Sequence, residues 1–294
     1  MRKHIHIFAL AALVLFSCSK EKGGQELQAG GNVLSIKATV GATKSAAPLE
    51  LKSAFESGDQ ISLYAWMGSA TAVPEKKIVD GVVNTFDGAV WTPETQMLWS
   101  YVKEKHFFLG VYPTKKITNF TADEYFLGSD LLVATELDGI AFKENPDPVS
   151  LSFTHLMAKL DVNLRFRNQW EEIPTVNALK LSAKREFTVN YLTKAVTPIG
   201  SVVNVPLTEI TAVSGHHRSF TGLQVPQEGV NTLTISIGDD DFVYQGPIAL
   251  ESGKITTLNL YVGKDKIELG AVTVSDWEDN TPIEGGEAEV TETA

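Results

Sequence analysis

The sequence predicts an all-β protein built from β-sandwiches. Its apolar residues recur at every second position, most regularly in residues 160–167, where every apolar side chain falls on one face of an extended chain. Turn-forming pairs such as Asp80-Gly81 and Asp87-Gly88 separate these alternating runs. No segment keeps the period of an amphipathic helix for more than about two turns. The pattern therefore supports neither a parallel βαβ sheet nor a helical bundle.

The chain length favours two such domains in series. A domain holds roughly 150 residues, so 294 residues suggest two, although one large β domain would also fit. The polar stretch 168–174 ends in a proline and interrupts the alternation, which resumes at Leu179. We predict an N-terminal sandwich over residues 32–168 and a C-terminal sandwich over residues 169–294.

Residues 1–17 have the pattern of a secretory signal peptide. Arg2 and Lys3 form a basic start, and an apolar run follows from Ile7 to Phe16. This run is shorter than the roughly 20 apolar residues that cross a bilayer. We therefore expect residues 1–17 to direct export and to be removed.

Export with a lipid anchor is predicted by the residues around the cleavage point. Residues 15–18, Leu-Phe-Ser-Cys, resemble the lipobox of bacterial lipoproteins, so we expect cleavage before Cys18 and lipid attachment to it. Cys18 is the only cysteine, so the fold has no disulfide to rely on. Residues 18–31 contain four glycines and no hydrophobic period, which predicts a lipidated, flexible tether.

Charge and motifs argue against two functional classes. The formal net charge of −11 makes nucleic acid a poor partner. The chain contains no serine nucleophile elbow, zinc-peptidase motif, phosphate-binding loop or dinucleotide fingerprint. We therefore expect a protein that is not an enzyme and has neither catalytic residues nor a cofactor.

Two polar clusters have a ligand-binding interpretation and a simpler structural one. His216 and His217 could bind a metal, but adjacent side chains on a strand point to opposite faces, and their turn-rich context favours an exposed loop. Asp239–Asp241 could hold calcium, yet they lack the spaced pattern of a calcium loop and follow Gly238 as a hairpin turn would. We expect no metal site.

The tryptophans could form a sugar-stacking platform, but core packing is the simpler interpretation. Aromatic side chains supply much of the buried area in β domains, and three of the five tryptophans border alternating runs. Trp170, in the predicted linker, is the best candidate for exposure. The five are Trp66, Trp91, Trp99, Trp170 and Trp277.

Four segments of the chain form a combination of motifs. They are Thr43-Lys44 followed by residues 56–66, Trp99 with residues 107–113, residues 153–160, and residues 253–262 continuing to Trp277. Each motif alone is short and apolar, but their order and spacing together resemble the fimbrillin family of the Bacteroidetes, the Mfa-like lipoproteins that serve as subunits of type V pili.

The resemblance implies two transthyretin-like sandwiches, display on the outer membrane and assembly by strand exchange. In the family, a trypsin-like protease removes an N-terminal strand, and an extended strand of another subunit fills the groove. Lys44 is the expected cleavage point, since small residues surround it and favour protease access. The exchanged strand would carry the inward residues Leu34, Ile36, Ala38 and Val40.

The C-terminal tail is the expected donor, although its apolar content is poor. Its candidate inward residues are Ile283, Ala288 and Val290, and two glycines interrupt them. A tip, anchor or accessory subunit is therefore as plausible as a shaft subunit. The alternative function is a monomeric surface lipoprotein that binds host glycans or a host protein and keeps its N-terminal strand.

Overall fold

The described part of the chain is all-β, so the predicted fold class is confirmed. The computed structural model describes residues 32–41, 52–100, 103–143 and 146–276. Within these ranges there is no helix, and hence none that is long and apolar enough to cross a membrane. The strands are β1 (Ile36–Val40), β2 (Gln60–Met67), β3 (Val79–Phe86), β4 (Trp91–Pro93), β5 (Lys105–Tyr112), β6 (Asp123–Phe126), β7 (Leu132–Ala141), β8 (Val149–His155), β9 (Ala158–Phe166), β10 (Ala178–Asn190), β11 (Ala195–Pro206), β12 (Thr208–Ile210), β13 (Arg218–Gln224), β14 (Thr232–Ile237), β15 (Asp240–Gln245), β16 (Lys254–Val262) and β17 (Ile267–Asp276).

A seven-stranded sheet in the order β1-β8-β7-β5-β2-β3-β4 occupies the first half of the chain. Its two edges meet, since Val33, just before β1, forms an antiparallel bridge with Leu98, which follows β4. The sheet therefore curves around an apolar interior, named here the barrel core, and a short contact outside the named strands links its two edge strands. Its buried members are Leu34, Ile36, Ile61, Leu63, Ala65, Val79, Trp91, Met97, Trp99, Phe108, Leu132, Ala134, Val149, Leu151 and Phe153.

The central strands of this sheet are buried on both faces. Ile61 and Leu63 point into the barrel core, while Tyr64 and Trp66 on the opposite face of β2 are equally inaccessible to solvent. β2 is therefore covered on both sides, because a second apolar cluster packs on its outer face. This cluster, named the sandwich core, also contains the inward residues of β9 and β10.

Two five-stranded sheets contribute to the sandwich core. One has the order β11-β10-β14-β15 with β6 also paired to β10, and the other has the order β12-β13-β9-β16-β17. Leu160, Val162 and Leu164 of β9 are fully buried, as their alternation predicts. Because β6 lies in the connection between β5 and β7, a first-half segment completes a sheet of the second half.

A buried polar network holds β6 against β2 and β10. The Tyr191 hydroxyl donates to Asp123 Oδ2 over 2.7 Å, and Lys115 Nζ forms an ion pair with the same oxygen at 2.8 Å. The Tyr64 hydroxyl donates to the Lys115 carbonyl over 2.8 Å, and the Tyr125 hydroxyl contacts that of Tyr191. Burial raises the pKa of Tyr125 and Tyr191, so both hydroxyls stay protonated. We call this the Tyr191 network.

Strand pairing crosses the predicted domain boundary at residue 168. β9 precedes residue 168 but pairs with β13 and β16, and residues 167–177 connect β9 to β10. The division into two transthyretin-like domains stays a prediction.

Candidate functional site

β1 has the alternation that the sequence predicts. Leu34, just before the strand, and Ile36 are only 1% and 5% exposed, and both belong to the barrel core. Ala38 and Val40 point the same way but are only partly buried. The intervening residues, Ser35, Lys37 and Thr39, are exposed. β1 is therefore an edge strand with one buried face.

One wall of the β1 site is β8. The two strands are parallel and in register from Ile36 opposite Val149 to Val40 opposite Phe153. Backbone hydrogen bonds extend this pairing at both ends. The Val149 N–H donates to the Ser35 carbonyl, and the Gly41 N–H donates to the Phe153 carbonyl, each over 2.9 Å.

The other wall is the short segment 97–99, which sequence reasoning missed. The Leu34 N–H donates to the Met97 carbonyl over 2.9 Å, and the Trp99 N–H donates to the Asn32 carbonyl over 2.8 Å. Three residues are too few to show an alternating pattern, although the apolar composition of Met97, Leu98 and Trp99 was a signal. Residues 32–34 thus have backbone partners on a second strand-like segment, and residues 36–40 are paired with β8.

The β1 groove, defined here as the space that Leu34, Ile36, Ala38 and Val40 fill between β8 and segment 97–99, is mainly an apolar site. Burial of a large aliphatic side chain contributes about 1.5–3 kcal/mol, so Leu34 and Ile36 together contribute about 3–6 kcal/mol. Leu34 and Ile36 therefore supply most of the apolar stabilisation in the groove, because they are the most deeply buried of its four side chains.

The segment that follows β1 in the described chain has its own anchor. Lys52 Nζ lies 2.9 Å from Asp59 Oδ1. The ring of Phe55 makes edge contacts with Trp91 at 5.0 Å and with Phe153 at 5.2 Å between ring centres. The ion pair therefore links the two ends of the segment 52–59, and the Phe55 ring holds the segment to the barrel core without help from β1.

The remaining predicted site residues lie outside the described residues. These are the lipidation site Cys18, the processing site Lys44 and the tail residues Ile283, Ala288 and Val290. The assignments of these residues stay predictions.

The histidine pair lies in the predicted loop, but the predicted exposure is wrong. Both residues are half-buried between β12 and β13. The ring of His217 stacks on that of Phe166, and its Nδ1 accepts the Phe166 N–H over 3.0 Å. Burial lowers the pKa of His216. In the ranges that the structure covers, no three His, Cys, Asp or Glu side chains come together as a metal site.

The other predicted polar and aromatic features have structural roles. Asp239 and Asp240 lie at the β14–β15 hairpin, where Gly238 has a positive φ of 59°, as the turn interpretation predicts. Trp66, Trp91 and Trp99 are buried, which confirms core packing for these three.

Trp170 was the candidate for exposure, and the structure contradicts this. It is half-buried, and its Nε1 donates to the Val262 carbonyl over 3.0 Å. Its ring meets those of Phe166 and Phe242 edge-on, which leaves little free face for a sugar. Trp277 lies outside the described residues.

Sequence reasoning also missed a buried pair next to the β1 groove. His155 Nδ1 lies 2.7 Å from Asp130 Oδ2, and both side chains are almost fully buried. Asp130 precedes β7 and His155 ends β8, so the pair fixes the two strands where they run together. It stabilises the end of β8, the wall against which β1 packs.

Comparison with known proteins identifies the family of this chain. The family model described as fimbrillin-like matches residues 43–277, most of the chain. The chain belongs to the fimbrillin-like family. No curated protein sequence matches this fimbrillin-like chain.

Solved structures from the Bacteroidetes share the fold. A Bacteroides uniformis protein, whose assignment to cell adhesion is provisional, has a TM-score of 0.60 at 17% identity, covering 83% of this chain and 99% of its own. A fimbrial protein of Bacteroides vulgatus has a TM-score of 0.52 at 10% identity, and the match covers 84% of this chain and 99% of that protein. The tip fimbrial protein Mfa3 of Porphyromonas gingivalis, truncated at its C-terminus, has a TM-score of 0.51 at 12% identity. The match covers 83% of this chain and 100% of the truncated Mfa3. At these identities the likeness concerns the fold.

Proposed function

We propose that this fimbrillin-like chain is a structural or accessory subunit, such as a tip or anchor, of surface fimbriae that contribute to cell adhesion. It reaches the outer membrane as a lipoprotein through Cys18, and its role is not enzymatic. A trypsin-like protease cleaves after Lys44, and β1 is exchanged for a strand of another fimbrial subunit.

The observation that carries this proposal is the position of β1. It lies at the edge of its sheet, contributes side chains to the barrel core, and pairs with β8 over a single short run. Its removal would leave the edge of β8 unpaired and open the space filled by Leu34 and Ile36. An added strand restores both the hydrogen bonds and the apolar contacts.

The anchored segment 52–59 supports the same mechanism. Cleavage after Lys44 separates β1 from this segment, while the Lys52–Asp59 ion pair and the Phe55 contacts lie on the retained side. The Phe55 contacts and the Lys52–Asp59 ion pair therefore remain when β1 leaves. Only the β1 groove is opened.

N-terminal sequencing of the polypeptide in appendages sheared from producing cells tests the proposal. We expect the sequence to start at Ser45. A Lys44→Ala variant should remain in the membrane fraction as unassembled, lipidated protein beginning at Cys18. The matched control is Lys37→Ala, which removes the exposed lysine of β1 and should be processed and assembled normally.

Two outcomes would contradict the proposal. Normal assembly of the Lys44→Ala variant would exclude processing at this site. Wild-type protein found only in membranes, beginning at Cys18, would favour the alternative of a monomeric lipoprotein that binds a host glycan or protein.

A further inference from the structure

The wall formed by segment 97–99 packs against a buried histidine of β5. The side chain of His106 is inaccessible to solvent, and its ring meets that of Trp99 edge-on, with 4.9 Å between the ring centres. The Trp99 ring also meets that of Phe108, two residues further along β5, at 5.4 Å. Segment 97–99 is therefore seated on the face of β5 that points into the barrel core.

A hydrogen bond to the histidine ring fixes the end of this wall. The Ser100 N–H donates to His106 Nε2 over 3.3 Å. A ring nitrogen accepts a hydrogen bond only when it carries no proton, so His106 is neutral here with its hydrogen on Nδ1. Protonation would place a second N–H on Nε2, directed at the N–H of Ser100. Because two donors cannot bond to each other, the charged ring loses this contact.

The surroundings of His106 do not offer the charged ring a compensating partner. Its neighbours on the adjacent strands, Met67 of β2 and Ile140 of β7, have apolar side chains. In the described ranges, Glu104 is the charged side chain that acts on the ring. Burial outweighs Glu104 and lowers the pKa of His106 below its ordinary 6.5. The ring therefore takes up a proton more readily once the wall has moved away from it.

Trp99 connects this histidine to the N-terminal edge of the sheet. Its ring packs on His106, while its backbone N–H donates to the Asn32 carbonyl over 2.8 Å. Its indole Nε1 is buried and has no hydrogen-bond partner among the described residues, so no bond of the side chain resists its displacement. Movement of Trp99 would break the bond to Asn32 as well. β1 would then keep only its pairing with β8, over residues 36–40.

We propose that His106 is an acid-sensitive switch that controls how firmly residues 32–40 are held. At neutral pH the ring accepts the Ser100 N–H and seats the wall against which residues 32–34 bond. In acid the protonated ring releases segment 97–100, and β1 loosens with it. This switch operates within one chain, so it goes beyond the proposed function and does not rest on strand exchange.

Hydrogen exchange of the full chain at pH 7.5 and at pH 5.0, followed by mass spectrometry, tests the switch. Protection factors are taken relative to an unstructured peptide at the same pH, which corrects for the pH dependence of exchange itself. His106→Gln keeps a side-chain oxygen that can accept the Ser100 N–H but cannot titrate in this range. The matched control is His216→Gln, which removes another histidine whose pKa is lowered by burial, in the loop before β13.

The expected change is local to the wall and to β1. Below pH 6.5 each pH unit favours the opened wall by up to tenfold, so protection of residues 32–41 and 97–100 should fall by up to about 30-fold at pH 5.0. The strands β9 and β10 should keep their protection. His106→Gln should show the same protection at both pH values, and His216→Gln should respond to acid as the wild type does.

An NMR titration of the His106 ring in the wild type provides a readout that needs no substitution. Its midpoint should coincide with that of the loss of protection at residues 97–100. Protection of these residues that is independent of pH would overturn the proposal, and so would an equal loss in His106→Gln. A loss shared equally by β9 and β10 would also overturn it, because acid would then unfold the chain as a whole.

Discussion

Removing the side chain of Ile36 beyond Cβ should detach β1 without unfolding the rest of the chain. The Ile36 side chain is 5% exposed and packs in the barrel core, and Ile→Ala changes at such sites cost about 2–5 kcal/mol. Because β1 is an edge strand, this loss should appear mainly as local opening of β1. The equilibrium constant for that opening should then rise roughly 30-fold or more, at about 1.4 kcal/mol per factor of ten.

Hydrogen exchange followed by mass spectrometry measures this opening directly. Amides in peptides covering residues 36–41 and 149–153 should exchange faster in Ile36→Ala, while those of β9 and β10 should keep their protection. The matched control is Lys37→Ala, whose side chain is exposed on the same strand and should change stability by less than about 0.5 kcal/mol. Equal protection of β1 in the two variants would refute the reasoning, because the burial of Ile36 would then contribute nothing to the docking of β1.

Three further perturbations test the interior. Tyr191→Phe removes a hydroxyl from the Tyr191 network and should lower the free energy of unfolding by about 1–3 kcal/mol in urea titrations; an unchanged value would mean the buried bond to Asp123 is not stabilising. Desolvation lowers the pKa of His106 below its ordinary 6.5, so the unfolded chain takes up this proton first and stability falls as the pH drops below about 6.5. His106→Gln should reduce that slope by up to about 1.4 kcal/mol per pH unit, and identical slopes would contradict this. Gly110→Ala places a Cβ 2.5 Å from the Phe153 ring and should cost about 1–3 kcal/mol by thermal unfolding, whereas Gly128→Ala, with its nearest atom at 3.8 Å, should be nearly neutral; similar losses would exclude the clash.

The sequence pattern predicts best where the two faces of a strand differ in polarity. β1 and the inward residues of β9 follow directly from alternation, because one face meets the core and the other meets solvent or polar neighbours. The pattern is less informative for β2, where residues 61–67 are apolar in both phases. A near-continuous apolar run of this kind indicates a strand covered on both sides, and the sandwich core provides that second cover.

The features that alternation did not predict depend on contacts distant in sequence. β6 is a short run, Asp-Glu-Tyr-Phe, with no apolar period, and it is a strand because β10 offers it a partner and Asp123 finds Lys115 and Tyr191. Segment 97–99 likewise becomes a wall only because the sheet curves and brings it to residues 32–34. Local sequence carries no record of such pairings, so only the folded chain shows the groove as a two-sided site.

The insertion of β6 into the second-half sheet has a mechanical consequence. A pull that separates the two halves of the described chain must shear the β6–β10 ladder and break the Tyr191–Asp123 hydrogen bond at the same time, since Asp123 begins β6 and Tyr191 directly follows β10. Elements loaded in parallel share the force, and none fails until all are strained. If such subunits are joined end to end by exchanged strands, the filament should flex at the junctions between subunits while each subunit remains a stiff link.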